Sequence, residues 1–193
     1  MHKLFQFICL LIFLSCSEEQ SSSSTIKDHA DTTAYAAAEE RIFDVPVLYK
    51  NWELGSHQST RTVLKMYQAW DGRSVKDMTA LLADSVILDL PDGKRRAAAR
   101  DKMVSGLLQA RKDYLSTSNN VLAVFPIHNN DKNEEWVSVL VYNKWTNKDN
   151  TRDSMLYQDL WKVKDGKITY LLTLEQAPSR GTIKQLDAMT AKN

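Results

Sequence analysis

The stretch VLKMYQAWDGRSVKDMTALLADSVILDLPDG, residues 63–93, decides the architecture. Val63, Met66, Tyr67 and Trp70 fall at i, i+3, i+4 and i+7, one face of an amphipathic helix. Ser59 or Thr60 supplies its N-cap, and Gly72 sits where a C-terminal cap belongs. A second helix opens at Ser74, with Asp77 three residues on as the capping-box acid, and buries Met78, Leu81 and Leu82. The period then changes. Ser85 to Leu90 is rich in β-formers and stops at the turn Pro91-Asp92-Gly93.

Downstream, residues 99–113 return to a helical period, with Met103, Leu107 and Leu108 on one face. Strand-like alternation fills 117–127, 135–146, 152–163 and 168–176. Asn147-Lys148-Asp149-Asn150 and Lys164-Asp165-Gly166-Lys167 read as hairpin turns. The last strand ends before Pro178, and the tail 179–193 holds a short helix over 182–190 or no structure. Helix, helix, strand, helix and then long antiparallel strands is an α+β order. Such strands twist and curl, and the N-terminal helices cover the concave face.

Upstream, MHKLFQFICLLIFLS (1–15) has one early lysine and an 11-residue apolar run, too short for a spanning helix of about 20 residues. It reads as a signal peptide. Phe13-Leu14-Ser15-Cys16 resembles a bacterial lipobox, although Phe13 stands where an aliphatic residue is commoner. The resemblance implies lipidation of Cys16 and anchoring by two or three acyl chains. Ser17-Glu18-Glu19-Gln20 resembles the surface-export signal of Bacteroidota lipoproteins; the alternative is an acidic tether facing the periplasm. Either way the expectation is an outer-membrane lipoprotein. Residues 16–44 form the lipidated tether, with a helix-prone piece at 33–43. The domain spans 45–178.

Apolar residues make up 43% and charged residues 25%, an ordinary globular mix. Without residues 1–15 the chain carries 24 bases and 24 acids, so no electrostatic footprint for nucleic acid exists. Lys94, Arg95, Arg96, Arg100 and Lys102 read as a solvated loop and helix start. Cys9 and Cys16 are the only cysteines, so nothing staples the mature fold.

Residues 63–93, together with YQDLWKVKDGKITYLLTLEQ (157–176), resemble the nuclear transport factor 2-like (NTF2-like) superfamily in its SnoaL-like and ketosteroid-isomerase-like branches. The signposts are an aromatic first helix, a Leu-Leu-Ala-Asp step into a strand, and a late Asp-x-Trp strand before Asp-Gly-Lys-Ile. Asn51-Trp52-Glu53-Leu54-Gly55 resembles the same region in Bacteroidota lipoproteins of that superfamily. The resemblance implies a cone with a pocket between sheet and helices. Some members are isomerases, cyclases or dehydratases, and many only bind or dimerise, so the fold leaves function open.

Ketosteroid isomerases use a carboxylate base and an oxyanion hole of Tyr and protonated Asp, a case that serves as a general pattern for tuned carboxyls. The resemblance puts the base position at Leu90, which accepts no proton. Asp89 is one residue away and faces oppositely. The oxyanion-aspartate position matches Asp159, which alternates with Met155, Tyr157 and Trp161. Tyr67 is the candidate tyrosine. Trp70, Trp136, Tyr142 and Trp161 are candidate cavity linings. The same aromatics also serve as plain core, and Asp159 as an acid paired with a neighbouring Lys, Arg or Tyr.

Trp136, Leu140 and Tyr142 share one face of their strand, and Val137, Val139, Val141 and Trp145 the other. Two apolar faces imply two covers, the helices and a second copy of the chain, hence a homodimer. No zinc spacing, phosphate loop or dinucleotide fingerprint is visible, so no cofactor is implied. The expectation is a domain that binds a small apolar ligand or a protein partner without catalysis. The alternative is an isomerase, lyase or hydrolase, which requires Asp159 to open into a cavity with a second ionisable group in hydrogen-bond reach.

Overall fold

The computed structural model describes residues 47–191. The signal peptide, Cys16 and the tether through Pro46 lie outside the described residues.

Among the described residues, four helices and seven strands make up the expected α+β arrangement. The strands are β1 (Trp52–Leu54), β2 (Leu82–Asp89), β3 (Arg95–Ala99), β4 (Tyr114–Asn129), β5 (Glu134–Asn147), β6 (Arg152–Lys164) and β7 (Lys167–Gln176). They form one curved sheet in the order β1-β4-β5-β6-β7-β2-β3. Every neighbouring pair is antiparallel except β2 with β7. The helices are α1 (His57–Asp71), α2 (Val75–Leu81), α3 (Arg100–Arg111) and α4 (Arg180–Thr190).

Helices α1 to α3 cover the concave face. Val63, Met66 and Tyr67 of α1 are buried, as the 3.6-residue period requires. They meet Val137, Val139 and Val141 of β5, while Met103 and Val104 of α3 join Val86 and Leu88 of β2 in the same core. Capping follows local chemistry. Ser56, rather than Ser59 or Thr60, caps α1, its hydroxyl accepting from the Gln58 N–H at 3.0 Å. Ser59 and Thr62 are instead buried on the inward face. Ser74 caps α2 by accepting from the Asp77 N–H at 3.3 Å. The left-handed turn after α1 falls on Arg73, at φ 54°, one residue beyond Gly72.

Two strands are absent from the expectations. β1 is three residues long, and β3 is Arg-Arg-Ala-Ala-Ala, weak in β-propensity. β3 exists because it completes an edge against β2. Its position is reinforced by Arg95, which holds Asp89 bidentately at 2.7 Å and 2.7 Å. Leu82, expected on the second helix, is instead the first residue of β2 and is buried there. The tail is the helix α4, and it lies on the convex face. There Tyr142 donates its hydroxyl hydrogen bond to Asp187 at 3.2 Å, and Leu186 is buried.

Gly55 joins β1 to α1 at a close backbone approach. A Cβ there would lie 2.7 Å from the Ile127 nitrogen and 2.9 Å from its carbonyl carbon. Its N–H donates to the Pro126 carbonyl at 3.0 Å. Pro126 therefore turns its missing donor toward the sparsely paired side of β4, where a strand proline is tolerated. Gly106 is the opposite case, mid-helix with no atom within 4 Å of an added Cβ. Urea denaturation of two variants checks both statements. Gly55→Ala should lose about 1–3 kcal/mol through overpacking, and Gly106→Ala should gain about 0.5–1 kcal/mol.

Candidate functional site

A cavity of about 400 Å³ opens between the concave face and helices α1 and α3. Alternation along β6 points Met155, Tyr157, Asp159 and Trp161 into it. Register fixes their neighbours. Val139 lies opposite Asp159 on β5 and Thr173 opposite it on β7. Val141, Tyr157 and Glu175 form the next row toward solvent.

Asp159 is only 5% exposed. Tyr67, delivered by α1, donates its hydroxyl proton to Asp159 Oδ2 at 2.5 Å. Trp161 Nε1 donates to the Tyr67 hydroxyl oxygen at 3.0 Å, its ring edge-on to Tyr67 at 5.6 Å. Thr173 donates its hydroxyl to Asp159 Oδ1. Burial pushes the Asp159 carboxyl up to about 6, against the pull of the Thr173 and Tyr67 hydrogen bonds. Burial, and then the charge of Asp159, hold the Tyr67 phenol far above its ordinary range. Tyr67 therefore keeps its proton at neutral pH.

A second polar cluster borders the cavity, which its members Thr117, Asn119 and Asn143 line. Asp71, the last residue of α1, accepts from Thr117 Oγ1 at 2.8 Å, from the Asn119 N–H at 2.9 Å and from Asn119 Nδ2 at 2.8 Å. Asn143 Nδ2 in turn donates to Asn119 Oδ1 at 2.7 Å. Arg111, 3% exposed, donates to the carbonyls of Trp70, Tyr114 and Asp71 at 3.3, 2.9 and 3.4 Å. It ties the end of α1, and so Trp70 at the cavity rim, to the start of β4.

Tyr67, Trp70, Asp159 and Trp161 thus line this same cavity. Trp136 and Tyr142 do not, which corrects their assignment to it. Both sit at even positions of β5, whereas Val141, Asn143 and Trp145 face inward. Trp136 instead packs edge-on to Tyr170 at 5.7 Å, with Lys162 Nζ 4.7 Å from its ring centre. Tyr142 is buried under α4. Asp89 is also taken up elsewhere, by Arg95 and by the Tyr170 hydroxyl at 2.6 Å. Thr173, Asn119 and Asn143 also line the cavity and are not among the residues to which the sequence points. Thr173 and Asn143 are polar residues in apolar alternations, and Asn119 lies in the polar run 116–120, signals that gain meaning only once the register is known.

No protein-family model and no curated protein sequence matches the chain. Among solved structures, an LEH-like epoxide hydrolase from M. tuberculosis superposes with a TM-score of 0.54 at 13% identity, covering 70% of this chain and 97% of that one. An NTF2-like protein of unknown function from Exiguobacterium gives 0.52 at 15%, covering 61% and 99%. AusH from Aspergillus nidulans gives 0.52 at 12%, covering 66% and 90%. At these identities the likeness concerns the fold alone. The fold is the NTF2-like cone, α+β with a curved, unclosed sheet.

The buried carboxyl makes a signed prediction. Its folded value, about 6, lies above the ordinary 3.8, so the native state holds the proton more tightly than the unfolded chain. The contribution is complete below about pH 4 and is lost as pH rises through about pH 6, a fall on the order of 3 kcal/mol. Asp159→Asn should flatten this part of the stability–pH curve measured by urea unfolding. An unchanged slope would place the titration elsewhere.

Proposed function

We propose that this chain is a lipid-anchored binding protein of a bacterial outer membrane, whose cone holds one small, largely apolar ligand without converting it. The observation that carries this reading is the cavity itself. Its volume suits a small molecule, its walls are mainly apolar and carry six aromatic rings, and its one deeply buried acid is supplied with hydrogen bonds. Two features argue against chemistry. The position of the isomerase base is Leu90, and Tyr67 does not ionise near neutrality. Proton transfer at a carbon needs a base within reach of that proton, and Leu90 supplies none.

A hydrolase, lyase or isomerase remains the second reading. It is favoured by Asp159, which faces the cavity, titrates near 6 and has Tyr67 at 2.5 Å. Turnover of an epoxide by the wild type that vanishes in Asp159→Asn, with ligand affinity kept, would replace the binding reading by this one.

The convex face supports a second copy as partner. Phe125 is 60% and Leu174 55% exposed there. Trp136, Leu140 and Leu172 stand half-buried between them on the same side by register. Light scattering should give twice the chain mass, and a monomer at micromolar concentration would remove the dimer.

Two measurements address the main proposal. Radiolabelled palmitate should enter the wild type and not Cys16→Ala. Mass spectrometry of small molecules that co-purify should find a species with the wild type that is missing from Val141→Phe, whose ring fills the cavity. An identical small-molecule profile in the two proteins would end the ligand reading.

A further inference from the structure

The charge pattern of the cavity narrows what it can hold. Among the described residues, no Lys, Arg or His lines it, while two carboxylates do, Asp159 at depth and Glu175 at the rim. Six aromatic rings share the lining: Tyr67, Trp70, Tyr114, Trp145, Tyr157 and Trp161. The buried guanidinium of Arg111 does not reach the interior, since it is occupied by three main-chain carbonyls.

The direction of the hydrogen bonds narrows it further. Trp161 donates to Tyr67, and Tyr67 and Thr173 donate to Asp159. The three donors of this network are therefore spent on one another and on the carboxylate, and none of them is left for a ligand oxyanion at Asp159. Each carboxylate oxygen accepts one protein hydrogen bond and keeps a further lone pair. Asp159 therefore offers a ligand acceptors only. An anion would meet two like charges in the cavity. A pure hydrocarbon would strip water from Asp159 and put nothing in its place, which is costly for a buried charge. A protonated amine satisfies both constraints. Its N–H bonds the carboxylate, and its charge lies against ring faces, which attract cations more strongly once water is excluded.

We propose that the ligand of this cavity is an organic ammonium, an amine carried on an apolar body, with its N–H on Asp159 and its carbon skeleton between Trp70, Trp145 and Tyr157. This rests on the reading of the cavity as a ligand site and adds the sign of the ligand's charge. Glu175, opposite Tyr157 on β7, adds a negative charge at the mouth.

The test uses three probes of one shape class with the purified full-length chain at pH 7.5, read by tryptophan fluorescence and calorimetry. They are protonated N,N-dimethylbenzylamine, its uncharged isostere isobutylbenzene, and the anion phenylacetate. The ammonium should bind about tenfold or more tighter than isobutylbenzene, and phenylacetate should not bind. Asp159→Asn should remove most of the ammonium's advantage over isobutylbenzene. Glu175→Gln, a change at an exposed side chain, should weaken the ammonium alone by a few-fold. Isobutylbenzene binding as tightly as the ammonium would overturn the cationic assignment and leave an apolar ligand site standing. Binding of phenylacetate in preference would also overturn it. No binding by any probe would overturn both the assignment and the ligand reading.

Discussion

A carboxylate taken out of water needs donors, and Asp159 collects them from separate parts of the chain. Tyr67 comes from α1, Thr173 from β7, and Trp161, two residues along β6, supports Tyr67 from behind. Each donor reaches the acid in one relative placement only. A roll of α1 by one residue turns Tyr67 by about 100° around the helix and leaves Asp159 short of a partner. A slip of β7 by one residue exchanges Thr173 for a leucine. Losing a partner at such a site costs more than the bond contributed, because the remaining group stays buried. The interaction that builds the site is thus the one that fixes how helix and sheet meet.

Arg111 acts similarly at the other end of α1. Its three carbonyl acceptors include Trp70 and Asp71, the residues that close the helix, and Tyr114, which opens β4. Asp71 then takes three hydrogen bonds from Thr117 and Asn119. Between these two anchorages α1 lies across the concave face with Trp70 held at the cavity rim. The aromatic pair Tyr114 and Trp145, edge-on at 5.9 Å, stands on the facing strands. Rim geometry here follows from tied backbone ends rather than from the aromatic side chains themselves.

This arrangement also explains what was legible in the sequence. The helical face of Val63, Met66, Tyr67 and Trp70 and the alternation Tyr157-Asp159-Trp161 are local periods, and both locate real inward surfaces. Register is not local. The turn at Asp165-Gly166 pairs Lys164 with Lys167, and continuing that count would set Asp159 against Leu172. The irregularity between Lys162 and Val163 shifts the ladder, so that Thr173 stands there instead. Nothing in Ile168-Thr169-Tyr170 announces that bulge. The inward face of β5 was equally hidden, because Trp136, Leu140 and Tyr142 are as apolar as the valines between them. Its choice is made across the sheet, where Val139 pairs with Asp159. β3 escaped notice because Arg-Arg-Ala-Ala-Ala is a strand by position and not by propensity.

The same geometry separates this cone from an oxyanion-stabilising one, though the residue types match. In an oxyanion hole, Tyr and Asp both send protons toward the ligand, so the acid must be neutral and the phenol's proton free. Here the Tyr67 proton is given to Asp159, and Trp161 holds the phenol oxygen in that orientation. Thr173 adds a second donor to the acid. Donors converging on one carboxyl favour its ionised form, while burial opposes it, and the balance lies near 6. Above that pH the cavity floor is an anion with open lone pairs. Reversing the role of the pair takes no change of residue type, only a change in which way the hydroxyl protons point. Trp161 and Thr173, neither of them part of an oxyanion hole, are what set that direction.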